Sequence, residues 1–284
     1  MRTILIIAAA LSFSGCFQQI AVDSLTGIME NGFEVLNEES DLGLAATSIA
    51  GNLKLMEAVL RTDPGNRVIL MMACRAYSSY AMGFVEDSDP PRAREFYRRG
   101  LEYGLRLFDP RGSLRRSFDG SSADVEESLR RADARDVPTV FWTAVSWGGY
   151  ISLGLTDPDA LAALPKVEAM MNFVRDTDPG YFYGGADFFL GTMAGSRPAM
   201  LGGSPEASRE HFDRALAYSD GKFLLTYVYY ARTYAVQTQD SILFGSLLTA
   251  VDTASIDILP GARLSNAVAK RKAILLRAKS HELF

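Results

Sequence analysis

Few side chains in this 284-residue chain are spaced for catalysis or metal binding. The two histidines, His211 and His281, have no second histidine or cysteine at the spacing of a zinc site. Neither histidine has an identifiable serine and aspartate partner for nucleophilic catalysis. We therefore predict that the protein has no metal site and no cofactor, and that both histidines are ordinary polar residues.

Carboxylate pairs are the remaining groups that could carry out acid–base chemistry. Three pairs are close in sequence: Asp157 with Asp159, Asp176 with Asp178, and Glu126 with Glu127. All lie at predicted helix ends or on charged faces, where capping and solvation account for them. We predict a protein without enzymatic activity. A carboxylate-dependent hydrolase remains the less favoured alternative, which a buried pair of acids facing a cleft would support.

The glycine-rich stretch at 180–191 resembles a phosphate-binding loop in composition only. It lacks the Gly-Lys-Ser/Thr ending of such a loop and does not follow a predicted strand. Close helix packing or hairpin turns explain these glycines better.

Aromatic side chains are the better source of a binding site. Most of them must lie in the core, because aromatic rings dominate cores by area. The others, especially tyrosines whose hydroxyls need partners, are expected to line a groove for an apolar ligand or a peptide. We assign this groove to seven residues: Trp142, Trp147, Tyr150, Tyr183, Phe188, Tyr227 and Tyr230.

The elements that must position these side chains are helices. An apolar helical run ends in Thr-Asp-Pro-Gly twice, at 55–65 and at 170–180. Asp before Pro is steered out of the α region, and Pro cannot continue a helix interior, so each phrase predicts a helix end and a chain reversal. A recurring helical phrase indicates stacked helical hairpins.

Apolar periodicity supports this architecture. Residues 41–60 and 66–84 each carry an apolar stripe at three- and four-residue spacing and form the first predicted hairpin. A small–aromatic–small pattern, suited to close helix packing, occurs at 93–100 and at 208–215 and resembles a tetratricopeptide repeat. We predict an all-α fold of tetratricopeptide-like stacked hairpins, a compact solenoid of about ten to twelve helices.

The composition and charge of the chain argue against nucleic-acid binding. The chain is 48% hydrophobic and 22% charged, with a net charge of −5 spread without long runs of one sign. The only compact basic cluster is 270–272, which we interpret as a solvated helix face. We therefore predict no binding to nucleic acid.

The N-terminus predicts export and anchoring. One basic residue, Arg2, precedes an apolar run at 4–11, and small residues precede Cys16, as in a bacterial lipoprotein signal. We predict a signal peptide at 1–15, a tether at 16–26 lipid-anchored through Cys16, and a single helical domain at 27–284. An ordinary secretory signal with an incidental cysteine is the alternative. Cys74 is then left as a buried, unpaired thiol.

The order of several segments resembles the TatT family, the tetratricopeptide-like lipoproteins associated with TRAP transporters. The segments that carry this resemblance are 52–60 with Asp63-Pro64, 80–85, 97–104, 141–148, 164–169, 202–207, 211–216, 240–244, 264–267 and 270–273. Each is a helix-packing pattern by itself, and together they span nearly the whole mature chain.

The resemblance implies a periplasmic lipoprotein that docks the substrate-binding protein of a TRAP-type solute importer. It also implies that the protein binds or hands over a small hydrophobic or organic-acid ligand. A homo-oligomer, with a trimer as the expected form, is implied as well. The alternative is a stand-alone periplasmic carrier of an apolar ligand, and whether the aromatic groove holds ligand or protein stays open.

Overall fold

The computed structural model describes residues 22, 24–197 and 199–284. The predicted signal peptide and Cys16 lie outside these residues. Residues 24–37 are helical and are named α1. The helices that follow are α2 (Leu42–Thr62), α3 (Arg67–Tyr80), α4 (Pro90–Leu105), α5 (Ser113–Ser117), α6 (Ser122–Leu129), α7 (Val137–Ser152), α8 (Pro158–Ala162), α9 (Leu164–Thr177), α10 (Tyr181–Gly195), α11 (Pro205–Tyr218), α12 (Leu225–Tyr230), α13 (Ser241–Thr253), α14 (Arg263–Ala278) and α15 (Ser280–Leu283).

The all-α prediction is confirmed, since no strand occurs in the described parts of the chain. The fourteen helices from α2 to α15 exceed the expected number because α5, α8 and α15 are each five residues or shorter. Short 3-10 turns at Ala199–Leu201, Ile256–Ile258 and Pro260–Ala262 complete the connections.

The first predicted hairpin is formed by α2 and α3, and its ends are set by local capping. The Asp41 carboxylate accepts from the backbone N–H groups of Gly43 and Leu44, and the Asn66 side chain accepts from Ile69 N. Both satisfy N–H groups that a helix start leaves unpaired. The α2 helix ends before Asp63, as the Asp-Pro pair predicts.

Helices that follow each other in the chain pack against each other. Helix α2 packs against α3, α3 against α4, and α4 against α7. Helix α7 then contacts α9, α9 contacts α10, and α10 contacts α11. The last long helix, α14, packs on α12 and α13 and also touches α2. The end of the chain therefore returns to its first hairpin, and the helices enclose a central space.

Two π-helical segments, Ala81–Val85 and Ala231–Ala235, extend α3 and α12. The residues around them share a pattern, Tyr-Ala-x-x-aromatic, at 80–84 and at 230–234. In each case the first and last rings contact each other, with centroids 5.7 Å and 5.3 Å apart. Each π segment is followed by a helix whose N-cap is an aspartate, so the two hairpins are built alike.

One helix in the described chain, Arg67–Val85, is long and apolar enough to cross a membrane. Its apolar window is 61% buried inside the domain, where α3 packs against α2, α4 and α7. The helix therefore owes its apolar composition to a place in the core.

Candidate ligand cavity

The central space is a cavity of about 390 Å³, within the usual range for small-molecule sites. Its wall is mainly apolar and is built from α1, α2, α3, α7, α10, α12 and α14, among other elements. A second cavity of about 320 Å³ adjoins it. The two cavities share four lining residues: Asn37, Arg75, Phe182 and Ser265.

A left-handed turn at the start of α10 contributes to both cavities, since Phe182 lines both and Tyr183 lines the second. Phe182, Tyr183 and Gly184 have φ values of 47°, 61° and 77°. This conformation costs about 1–2 kcal/mol for each residue with a side chain. It places the Phe182 ring 4.8 Å from that of Trp142 and 5.7 Å from that of Phe223. The strained turn is thus what brings these three rings together.

The third residue of this turn must be glycine for a second reason. A Cβ atom on Gly184 would lie 3.0 Å from the Ala215 Cα atom of α11. The close approach of α10 to α11 therefore fixes the turn in place. Burial at this contact leaves Ala215 with no exposed surface.

A charged cluster closes one part of the main cavity. The Glu86 carboxylate accepts hydrogen bonds from Tyr97 at 2.8 Å and Tyr229 at 2.7 Å. It also accepts from Lys272 Nζ at 3.0 Å and lies 3.4 Å from Arg232. Burial, with the negative charge of Glu86, raises the pKa of both tyrosines. Four donors occupy this carboxylate, so its charge is fully compensated.

Comparison with known proteins identifies this architecture. The profile of the TRAP transporter T-component matches residues 38–284. The chain belongs to the TRAP transporter T-component family. An uncharacterized protein of Treponema pallidum (strain Nichols) is 25% identical in a 269-residue alignment that covers 88% of this chain and 82% of that protein.

Family membership makes the protein an accessory component of a TRAP transport system. It also indicates an envelope-associated protein of the bacterial periplasm. The family consists of transporter components, and it gives no support to the hydrolase alternative.

Three of the predicted groove residues line the cavities of this T-component. Trp142 and Phe188 lie in the wall of the main cavity, and Tyr183 lies in that of the second. The Phe188 ring packs edge-on against Tyr229, with centroids 5.1 Å apart. That these residues contact a ligand stays a prediction.

The other four predicted groove residues line neither cavity: Trp147, Tyr150, Tyr227 and Tyr230. The Trp147 ring lies edge-on to Phe118, Tyr150 is covered by the Arg94 guanidinium, and Tyr230 stacks on Phe212. Tyr227 packs against the main hydrophobic core. Helical periodicity identifies an apolar face but not whether that face meets a cavity or a neighbouring helix.

The carboxylate pairs of the sequence lie at helix ends or in surface ion pairs. Asp157 caps α8 and pairs with Arg94 at 2.7 Å, and Asp178 follows the last residue of α9. Within the described ranges, no group of three or more acidic, histidine or cysteine side chains is placed to hold a metal ion. His211 instead contacts the buried Asp187, with Nδ1 to Oδ1 at 2.6 Å.

Interpretation of 270–272 as a solvated face is wrong for Lys272. Only 3% of this side chain is exposed, and its Nζ lies 2.6 Å from Asp87 and 3.0 Å from Glu86. The apolar neighbours Ala269 and Ala273 on the same helix were the available signal, since they mark a buried face.

Proposed function

We propose that this T-component binds an apolar ligand in its central cavity and docks the periplasmic substrate-binding protein of its TRAP system, with which it exchanges that ligand. The observation that carries the proposal is the cavity itself, about 390 Å³ of mainly apolar space enclosed by seven or more elements. A space of this size with few polar groups is typical of a small-molecule site.

Aromatic packing supports a preformed cavity. Trp142, Phe182 and Phe223 are held by ring contacts on several sides, and Phe188 is fixed between Phe223 and Tyr229. A wall of rings already in place loses little conformational entropy when a ligand binds. The cavity therefore suits an apolar ligand.

Docking, anchoring and assembly complete the proposal. Stacked helical hairpins present extended surfaces that suit a protein partner. The predicted lipid at Cys16 would hold the protein at the membrane, beside the transporter. A homo-oligomer, with a trimer as the expected form, belongs to the same proposal.

Binding experiments with purified proteins test both parts. Docking is measured by analytical ultracentrifugation of the soluble chain 17–284 mixed with the substrate-binding protein of the same TRAP system. Ligand binding is measured by calorimetry with alcohols of increasing chain length. In the variant Val145→Trp, which fills the main cavity, ligand binding should be lost. Val35→Trp, at an exposed position outside it, is the matched control.

The outcomes separate the alternatives. Binding of both partner and ligand supports the proposal. Binding of ligand alone favours the stand-alone carrier, and binding of partner alone leaves a docking protein without a ligand. Binding of neither overturns the proposal.

A further inference from the structure

One cation in the cavity wall has no anionic partner. Arg75, on α3, lies at the junction of the two cavities and lines both. Its guanidinium carbon is 4.8 Å from the centre of the Phe33 ring and 5.0 Å from that of Trp142. Rings from α1 and α7 therefore hold the guanidinium at this junction.

The guanidinium makes no hydrogen bond and no ion pair with any residue that the structure describes. Its Nε atom is buried and has no hydrogen-bond partner. One buried guanidinium donor at this junction thus lacks an acceptor.

The other charged groups of the cavity wall, Glu86, Arg197 and Arg232, differ from Arg75. Glu86 and Arg232 belong to the compensated cluster with Lys272 and two tyrosines. Arg197 pairs with Glu168 at 4.0 Å and donates to the Met193 carbonyl. Burial lowers the pKa of Arg75, which shows that its surroundings oppose the charge, yet an arginine stays protonated in a protein. Cation–π contacts offset only about 0.5–2 kcal/mol of such a cost, so an anion is what the junction lacks.

The donors at the junction select the kind of anion. A guanidinium binds a carboxylate through two parallel hydrogen bonds and matches its single charge. A phosphate monoester carries a charge of about −1.5 to −2 and three acceptor oxygens, more than one cation can satisfy. The remaining wall is mainly apolar, so the rest of the ligand must be apolar too.

We infer that Arg75 binds the carboxylate of an amphipathic monocarboxylate whose apolar body fills the main cavity. This inference rests on the proposed ligand-binding function and names the class of ligand. It also fixes the direction of the ligand, with its charged end at the junction and its apolar end toward the rings of Phe188 and Tyr229.

Calorimetry with matched probes tests the inference. Hexanoate, decanoate and palmitate are compared with the alcohols of the same chain lengths, using the soluble chain 17–284. The best carboxylate should bind at least tenfold more tightly than its alcohol, which corresponds to about 1.4 kcal/mol. In Arg75→Gln this preference should disappear while alcohol binding is retained. Arg75→Lys, which keeps the charge without the planar fork, should retain part of it.

Arg106→Gln is the matched control, because Arg106 also packs over a ring, that of Tyr103, but lines neither cavity. It should bind both probe series as the unsubstituted protein does.

Equal affinity for carboxylate and alcohol, or an unchanged preference in Arg75→Gln, overturns the inference and leaves the proposed ligand function standing. If no probe of either series binds, both fail. If Arg75→Gln does not fold, the inference is tested by the preference for carboxylate over alcohol in the unsubstituted protein and in Arg75→Lys. A preference that is equal in these two proteins overturns it.

Discussion

At the scale of single residues, Lys272 shows how a local pattern can mislead. Its neighbours Lys270 and Arg271 suggest a solvated basic face, yet its ammonium group is buried against Glu86 and Asp87. These partners lie 186 and 185 positions away in the chain. Neighbouring alanines can mark the buried face, but no local pattern predicts these partners, because they depend on how α14 lies against the turn after the π segment Ala81–Val85.

Replacing Lys272 tests how much this charged cluster stabilises the fold. Lys272→Met keeps most of the side-chain volume but leaves Glu86 and Asp87 without their buried cation. Breaking a buried pair in this way costs about 3–5 kcal/mol, and we expect an effect of that order in urea unfolding. Lys279→Met, at an exposed position, should change stability little. Similar midpoints for the two variants would contradict the assigned role.

Asp187 provides a prediction about pH. Burial alone would raise the pKa of this carboxyl, but hydrogen bonds from His211 and Arg214 hold it below its ordinary value. The ionised form therefore stabilises the fold above the unfolded pKa of about 3.9, and this contribution is lost as the pH falls through the folded pKa. In urea unfolding, Asp187→Asn should be less stable than the unsubstituted protein at neutral pH.

The difference in the free energy of unfolding between the unsubstituted protein and Asp187→Asn should narrow below about pH 4, as Asp187 becomes protonated. Asp220→Asn is the control, because Asp220 is largely exposed and should give nearly the same stability at every pH. A gap for Asp187→Asn that stays constant with pH would show that the ionised carboxylate is not what stabilises this contact.

At the scale of elements, local signals predicted the helices well. Asp41 and Asn66 cap α2 and α3, where the sequence predicts helix starts. These signals act over three or four residues and can be read without the tertiary structure. The left-handed turn at 182–184 could not be predicted in this way, because two of its residues are aromatic and it depends on the contact between α10 and α11.

The cavity was predictable only in part, for a similar reason. The sequence indicated an aromatic site, but it assigned seven residues of which three line a cavity. Arg75 was missed altogether, because nothing in its local sequence shows that its charge lacks a partner. An unpaired cation becomes visible only when the side chains of α1, α3 and α7 are placed together.

The contact of α10 with α11 yields a packing prediction. Ala215 is fully buried where Gly184 and its neighbours approach α11. Ala215→Trp should force the helices apart and destabilise the protein by about 1–3 kcal/mol or more. Ala217→Trp, on the exposed side of the same helix, is the matched control for thermal unfolding. An unchanged melting midpoint for Ala215→Trp would rule out this close contact.

The π-helical segments yield a prediction about deletion. A π segment contains one residue more than the α-helix would need, so deleting Met82 from Ala81–Val85 can restore regular hydrogen bonding. Deleting Ala73 from the regular part of α3 instead rotates the preceding residues by about 100° and misplaces a buried face. The melting temperature should therefore fall less for the Met82 deletion than for the Ala73 deletion. The reverse order would contradict the assigned geometry.

At the scale of the whole molecule, the fold is held by its core and not by covalent cross-links. Cys74 is buried, and burial raises the pKa of its thiol to about 12, which makes it unreactive. Its Sγ atom contacts the Trp142 carbonyl and the Ser146 hydroxyl, both on α7. The predicted role of Cys16 is different, because a lipid there would attach the whole molecule to a membrane without taking part in the fold.

Cys16→Ser separates attachment from folding. We expect the unsubstituted protein in the membrane fraction and the variant in the soluble periplasmic fraction, since a lipid chain contributes about 0.8 kcal/mol of membrane affinity for each buried CH₂ group. We expect both proteins to unfold at the same temperature, because the predicted anchor at Cys16 precedes α1 in the sequence. Cys74→Ala controls for loss of a thiol and should remain in the membrane fraction. A Cys16→Ser protein that still sediments with membranes would instead indicate attachment through another segment or through the transporter.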